Sequence, residues 1–220
     1  MKKGIAGEGV EGNVPPSRQT SDDGPSGKKP PASFLVDGEG AAGNISPSRQ
    51  PADDGPSGKK PPASFLMVCL GNICRSPLAE GILQQKAEES GLDWEVDSAG
   101  TNGYHIGEAP HPLSQKVARM NGIDISRQRA RKFTADDFRR FDKIYAMAGD
   151  VVHEMRRIAG RQFDAAKVDL LMNEISPGHN QDVPDPWSGP ESGYHEVYRM
   201  IDAASDRIIQ RYAPISLKEK

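Results

Sequence analysis

The chain has 220 residues, a formal net charge of -3, 35% hydrophobic and 6% aromatic residues, enough for one ordinary domain plus a segment that does not pack. A pI near 6.0 gives no electrostatic case for a nucleic-acid partner. No apolar stretch approaches the roughly 20 residues of a membrane span, and Met1-Lys2-Lys3 is not followed by a signal-peptide core, so a cytoplasmic protein without membrane insertion is expected.

Residues 1–63 contain 11 Gly and 10 Pro, with no helical or alternating apolar period. Such a composition cannot bury enough surface to offset ordering entropy, so a disordered leader over 1–63 is expected ahead of a folded domain over 64–220. Its 8 Lys+Arg balance 8 Asp+Glu, so it is no basic arm. A tandem repeat with a spacing of 31 runs through it, PSRQTSDDGPSGKKPPASFLV at 16–36 and PSRQPADDGPSGKKPPASFLM at 47–67. It reads as a duplicated leader in preference to a pair of proline-rich ligands. The first copy continues into Asp37-Gly38, the second into the chain's two cysteines.

From residue 64 strand-like and helix-like segments alternate. Strands are predicted at 65–70, 94–98, 142–147 and 168–172, and helices at 77–90, 111–121, 134–141, 150–159 and 193–212. Pro77 is tolerated in a first helical turn, with Ser76 as its cap, and Gly91 and Gly122 are helix stops. Tyr194, Val197, Tyr198, Ile201, Ile208 and Tyr212 recur at helical spacing and read as core. The alternation predicts βαβ units around a parallel sheet, whose ligands sit at the carboxyl ends of the strands.

One such end carries Cys69-Leu70-Gly71-Asn72-Ile73-Cys74-Arg75-Ser76. A strand, a short loop and a helix start gather backbone N–H groups and a positive helix end around one point, which suits an oxyanion. Gly71 and Asn72 are the residue types most willing to take positive φ, as an inward-curling loop requires. Arg75 can hold two phosphate oxygens with its planar fork. The same field favours the thiolate of Cys69, the attacking form, and Ser76 can donate to that sulfur. A phosphate ester also needs an acid for its leaving oxygen, and Asp185, between two prolines in Val183-Pro184-Asp185-Pro186-Trp187, supplies one.

These residues, with Val96-Asp97-Ser98-Ala99-Gly100-Thr101 between them, resemble the low-molecular-weight protein tyrosine phosphatase family over about 64–213. The resemblance implies a flavodoxin-like three-layer α/β sandwich with a four-stranded parallel sheet, and phosphotyrosine hydrolysis with neither metal nor cofactor. By the same resemblance Cys69 is the nucleophile, Arg75 the clamp and Asp185 the general acid and base. Leu70, Gly71, Asn72, Ile73, Cys74 and Ser76 form the phosphate loop, with Ser98 bonded to Asn72 in support. Cys74 is a redox partner for Cys69, and Tyr104 and Trp187 are walls for the substrate ring. The expected partner is a phosphotyrosine protein, a tyrosine kinase being one such substrate.

The chain departs from the family pattern in three places. Trp187-Ser188 replaces two tyrosines, Ala148 replaces an aspartate after Met147, and the Ser126-Arg127 region has no histidine to support the Asn-Ser pair. His105, His111, His153, His179 and His195 lack ligand-like spacing and read as surface or helix-end residues, with no metal site. The absence of any cysteine after Cys74 argues against an arsenate reductase of this fold. Protein arginine phosphatase ranks second, because those relatives tend to carry threonine where this chain has Ile73. A phospho-binding module is the rival outside enzymes.

Overall fold

In the computed structural model residues 61–214 are described; the leader up to residue 60, including the first repeat copy, lies outside them. Four strands, β1 (Ser64–Cys69), β2 (Glu95–Gly100), β3 (Lys143–Ala146) and β4 (Val168–Leu170), form one parallel sheet in the order β2-β1-β3-β4. The helices are α1 (Arg75–Glu89), α2 (Pro112–Met120), α3 (Asp137–Arg140), α4 (Gly149–Ala159) and α5 (Glu191–Tyr212). No helix among the described residues is long and apolar enough to cross a membrane.

β1 is an unbroken apolar run because helices cover both of its faces, as parallel sheets require. Phe65, Met67 and Cys69 point into a core shared with Leu78, Ile82 and Leu83 of α1 and Val197, Ile201 and Ile208 of α5. Leu66 and Val68 point the other way, toward Val151 and Met155 of α4 and Phe133, Phe138 and Phe141. Val68 is fully buried, with Ala99 of β2 on one side and Ala146 of β3 on the other. The result is the expected flavodoxin-like three-layer sandwich. Gly91 and Gly122, both at positive φ, end α1 and α2 as expected.

Three elements differ from expectation. The helix expected over 134–141 is only the single turn α3, because Asp137 turns its carboxylate back to the Thr134 N–H (2.8 Å) and to Arg131 (3.1 Å). The fourth strand stops at Leu170 and becomes a 3₁₀ turn, Leu171–Glu174, in which buried Glu174 accepts from the Tyr145 hydroxyl at 2.6 Å. α1 opens at Arg75 without a side-chain cap. Ser76 lies inside the first turn, fully buried, and spends its hydroxyl elsewhere.

Candidate active site

The carboxyl end of β1 feeds a loop that folds over its own last residue. Asn72 sits at φ 58°, a left-handed conformation that asparagine tolerates better than other non-glycine residues. That turn aims the Asn72 N–H at Cys69 Sγ, 3.2 Å away. Ser76 Oγ lies 3.0 Å from the same sulfur and accepts from Asn72 Nδ2, also at 3.0 Å, so its own proton is free to point at the sulfur. Gly71 does not take positive φ. It is glycine for space, since a Cβ there would lie 3.2 Å from the His105 ring.

A second tier holds this turn. Asn72 Nδ2 also donates to Ser98 Oγ at 2.8 Å, and Asn72 Oδ1 accepts from the Arg131 N–H at 2.9 Å. Ser98 in turn donates to Glu80 Oε2 at 2.6 Å. Burial pushes the Glu80 carboxyl up from its ordinary 4.5 to about 7, while the Ser98 hydrogen bond opposes it, Asp97 adds to the rise, and Arg131 and Gln128 oppose it. The support thought missing with the family histidine therefore comes from a backbone N–H on one side and a glutamate of α1 on the other. β2 closes the floor at Gly100, where a Cβ would fall 2.9 Å from Gly71 C and Leu70 O, so only glycine permits the approach.

Arg75 crosses from the loop to the far side of the pocket. Its guanidinium donates to Val183 O at 3.1 Å and to Asp185 Oδ2 at 2.6 Å. The pair joins a buried cation to a half-exposed acid, with side chains 7% and 44% exposed. Asp185 Oδ1 accepts from the Trp187 N–H at 3.1 Å, which fixes the carboxylate's turn. The loop before it is anchored where the family aspartate is missing. Asp182 Oδ1 accepts from the Gly149 N–H at 2.9 Å at the start of α4, and the Val183 N–H donates to Met147 O at 2.8 Å. Asp182 thus makes the contact that Ala148 cannot.

Above the cradle the pocket is lined by Leu70, Ile73, Asn102, His105, Trp187 and Ser188. Trp187 is the aromatic wall expected of it. Its ring lies 5.3 Å from His105 and 5.4 Å from His111, which stacks on Tyr194 at 5.2 Å. Tyr104 is not among the lining residues; it is 85% exposed, and His105 takes the wall instead. His105 is not the plain surface residue expected of it, and its neighbour Glu108 holds its Nδ1 at 2.9 Å. His111 is a helix-end residue as expected, capping α2 by accepting from the Leu113 N–H at 3.2 Å. Cys74 faces the other way, with Sγ 3.8 Å from the hydroxyl of buried Tyr194. Burial pushes its thiol up from 9.0 to about 12.

The structure thus brings together Cys69, Arg75, Asp185, the loop amides, Ser98 and Trp187, and leaves Tyr104 outside. Glu80, Asn102, His105 and Ser188 were missed. The signals for the first and third were local: Glu80 lies one helical turn after Ser76, on the same face, and His105 adjoins the tyrosine chosen in its place. Chemically, the arrangement offers a sulfur with two donors, a cation able to clamp an anion, and an acid at the mouth.

Known proteins share this arrangement. The Streptomyces coelicolor "Low molecular weight protein-tyrosine-phosphatase" is 39% identical over 146 residues, covering 64% of this chain and 88% of that protein. The crystal structure of YfkJ from Bacillus subtilis superposes with a TM-score of 0.63 at 35% identity, over 69% of this chain and 96% of its own. That of a Drosophila arginine phosphatase also gives 0.63, at 30% identity, over 69% and 98%. The family model for low molecular weight phosphotyrosine protein phosphatase matches residues 64–219, and the chain belongs to that family.

Proposed function

We propose that this protein hydrolyses phosphotyrosine monoesters of proteins in the cytoplasm, a tyrosine kinase being one such substrate. The observation that carries the reading is Cys69 Sγ at the foot of the pocket, 3.2 Å from the Asn72 N–H and 3.0 Å from Ser76 Oγ, beneath the 2.6 Å Arg75–Asp185 pair. Both donors stabilise negative charge on the sulfur, which is the nucleophilic form.

In the first step Cys69 Sγ bonds to phosphorus as the bond to the tyrosyl oxygen breaks. Asp185 gives its proton to that oxygen, so the leaving group departs as a neutral phenol. Arg75 and the loop amides hold the phosphoryl oxygens throughout, where charge accumulates. In the second step Asp185 takes a proton from water as the water oxygen attacks phosphorus. The S–P bond breaks, phosphate leaves, and the thiolate returns. Cys74 is assigned the redox role: its thiol condenses with a peroxide-oxidised Cys69 sulfenic acid, releasing water and forming a reducible disulfide.

The likeness to an arginine phosphatase supports a second reading on the same site, against which Ile73 stands as the bulkier residue suited to a flat aromatic ester. The test is phosphate release from phosphotyrosine, phosphoserine and phosphoarginine peptides, with Cys69→Ser as the blank. Cys69-dependent release from phosphotyrosine is expected. Preference for phosphoarginine would establish the second reading, and no release from any would return the chain to a binding module.

A further inference from the structure

We infer that the basic segment 127–132 docks acidic residues flanking the phosphotyrosine of a protein substrate, an inference that rests on the phosphatase reading above. The sequence Arg127-Gln128-Arg129-Ala130-Arg131-Lys132 carries four cations. Arg131 is already paired with Asp97 at 2.9 Å and Asp137 at 3.1 Å. Arg127, Arg129 and Lys132 are exposed, and none of them takes part in an ion pair among the described residues. Arg129 bonds only to the backbone carbonyls of Ser126 and Gln128.

This segment is the shoulder of the pocket. The Gly100 N–H donates to Arg131 O at 2.9 Å and the Phe133 N–H to Gly100 O at 2.8 Å. Further out, the Gly107 N–H donates to Ala130 O at 2.8 Å and the Ala130 N–H to Glu108 O at 2.9 Å. The loop clipped on in this way carries Asn102 and His105, which line the pocket. Lys132 lies over the same loop, its Cδ 3.9 Å from where a Cβ on Gly103 would stand, beside Ile106 Cδ1 at 3.3 Å. Exposed Tyr104 and Ile106 add apolar surface to the shoulder.

The cations are not part of a general coat. The leader's charges cancel, so residues 64–220 carry the whole net charge of -3, and a local excess of unpaired cations beside the pocket is a departure from that background. A phosphorylated ring seated on Cys69 leaves its flanking residues over this shoulder, where carboxylates find partners and ammonium groups meet like charge. Each exposed pair is worth about two- to fivefold in binding, and salt reduces it over a Debye length of roughly 10 Å at 0.1 M.

The experiment compares two phosphotyrosine peptides, flanked by Glu or by Lys, with p-nitrophenyl phosphate, on the full chain and on Arg129→Glu/Lys132→Glu. The wild type should favour the Glu peptide by about tenfold in kcat/KM, expressed in KM and fading with added salt. The double variant should invert that preference while p-nitrophenyl phosphate turnover stays within about twofold, and Arg129→Gln/Lys132→Gln should abolish it. Equal use of both peptides by the wild type, or a preference that survives charge reversal, would overturn the inference with the phosphatase reading intact. An equal loss on all three substrates would show a structural effect and overturn it as well. No wild-type turnover of any of the three would remove the phosphatase reading, and this inference with it.

Discussion

The cradle and the rim of this pocket are built on opposite plans. The cradle is one contiguous stretch from Cys69 to Ser76 in which Cys69, Asn72, Arg75 and Ser76 are buried, and its hydrogen bonds close on themselves through Ser98 and Glu80. The rim is assembled from two distant loops, and its central wall, Trp187, is half exposed and braced only by ring contacts with His105 and His111. Buried, fully satisfied polar networks are rigid and intolerant, whereas exposed aromatic contacts can be exchanged at small cost. The reaction is thus built into the part that cannot vary, and the choice of substrate into the part that can.

That contrast breaks if cradle and rim changes produce the same kinetic signature. Cys69→Ser should remove turnover on every ester while inorganic phosphate still binds, measured by phosphate release and by titration calorimetry, because the anion is held by amides and Arg75. Asp185→Asn should slow phenyl phosphate by about 10²- to 10⁴-fold and p-nitrophenyl phosphate much less, since a good leaving group needs no proton; equal slowing would take Asp185 out of the acid role. Gly100→Ala should lower both kcat and the melting temperature, with a loss of about 1–3 kcal/mol from overpacking against Leu70 and Gly71.

Glu80 sharpens the comparison through pH. The folded chain keeps its proton up to about pH 7, whereas the unfolded chain releases it near 4.5. The folded state therefore binds more protons in that window, and this group's contribution to stability is lost as pH rises through it. Urea titrations across that range should show a downward slope of this sign, and Glu80→Gln should flatten it. The smallest effect belongs to the rim: Trp187→Ala should raise KM for aromatic esters by a few-fold and leave kcat nearly unchanged, in steady-state assays.

The same division governs what the amino-acid sequence discloses. β1, the loop and the start of α1 were legible because an apolar run, Gly-Asn and Arg-Ser-Pro follow each other without interruption. Asp185 was legible because two prolines frame it and the chemistry demanded an acid. Tyr104 and His105 were not separable, since a loop has no period to say which of two neighbours turns inward; the clip between Gly107 and Ala130 decides it. Ser76 was misassigned as a cap because a helix start and a sulfur compete for one hydroxyl, and only the fold shows that the sulfur is 3.0 Å away. Asp182 standing in for an aspartate at 148 depends on two loops meeting, which no local pattern encodes.

The burial of Val68 between Ala99 and Ala146 bears on how the chain avoids misassembly. The duplicated leader presents the folding sheet with two copies of one entering peptide, Pro-Pro-Ala-Ser-Phe-Leu, and nothing in those six residues distinguishes them. The continuation does: the downstream copy supplies Val68 to the innermost slot, and the upstream copy would supply Asp37. A carboxylate there, with no partner within an apolar core, costs several kcal/mol, a large share of the stability of a domain this size. A single position thus acts as a proofreader for strand choice, and Val68→Asp would erase the distinction between the right entry and the wrong one.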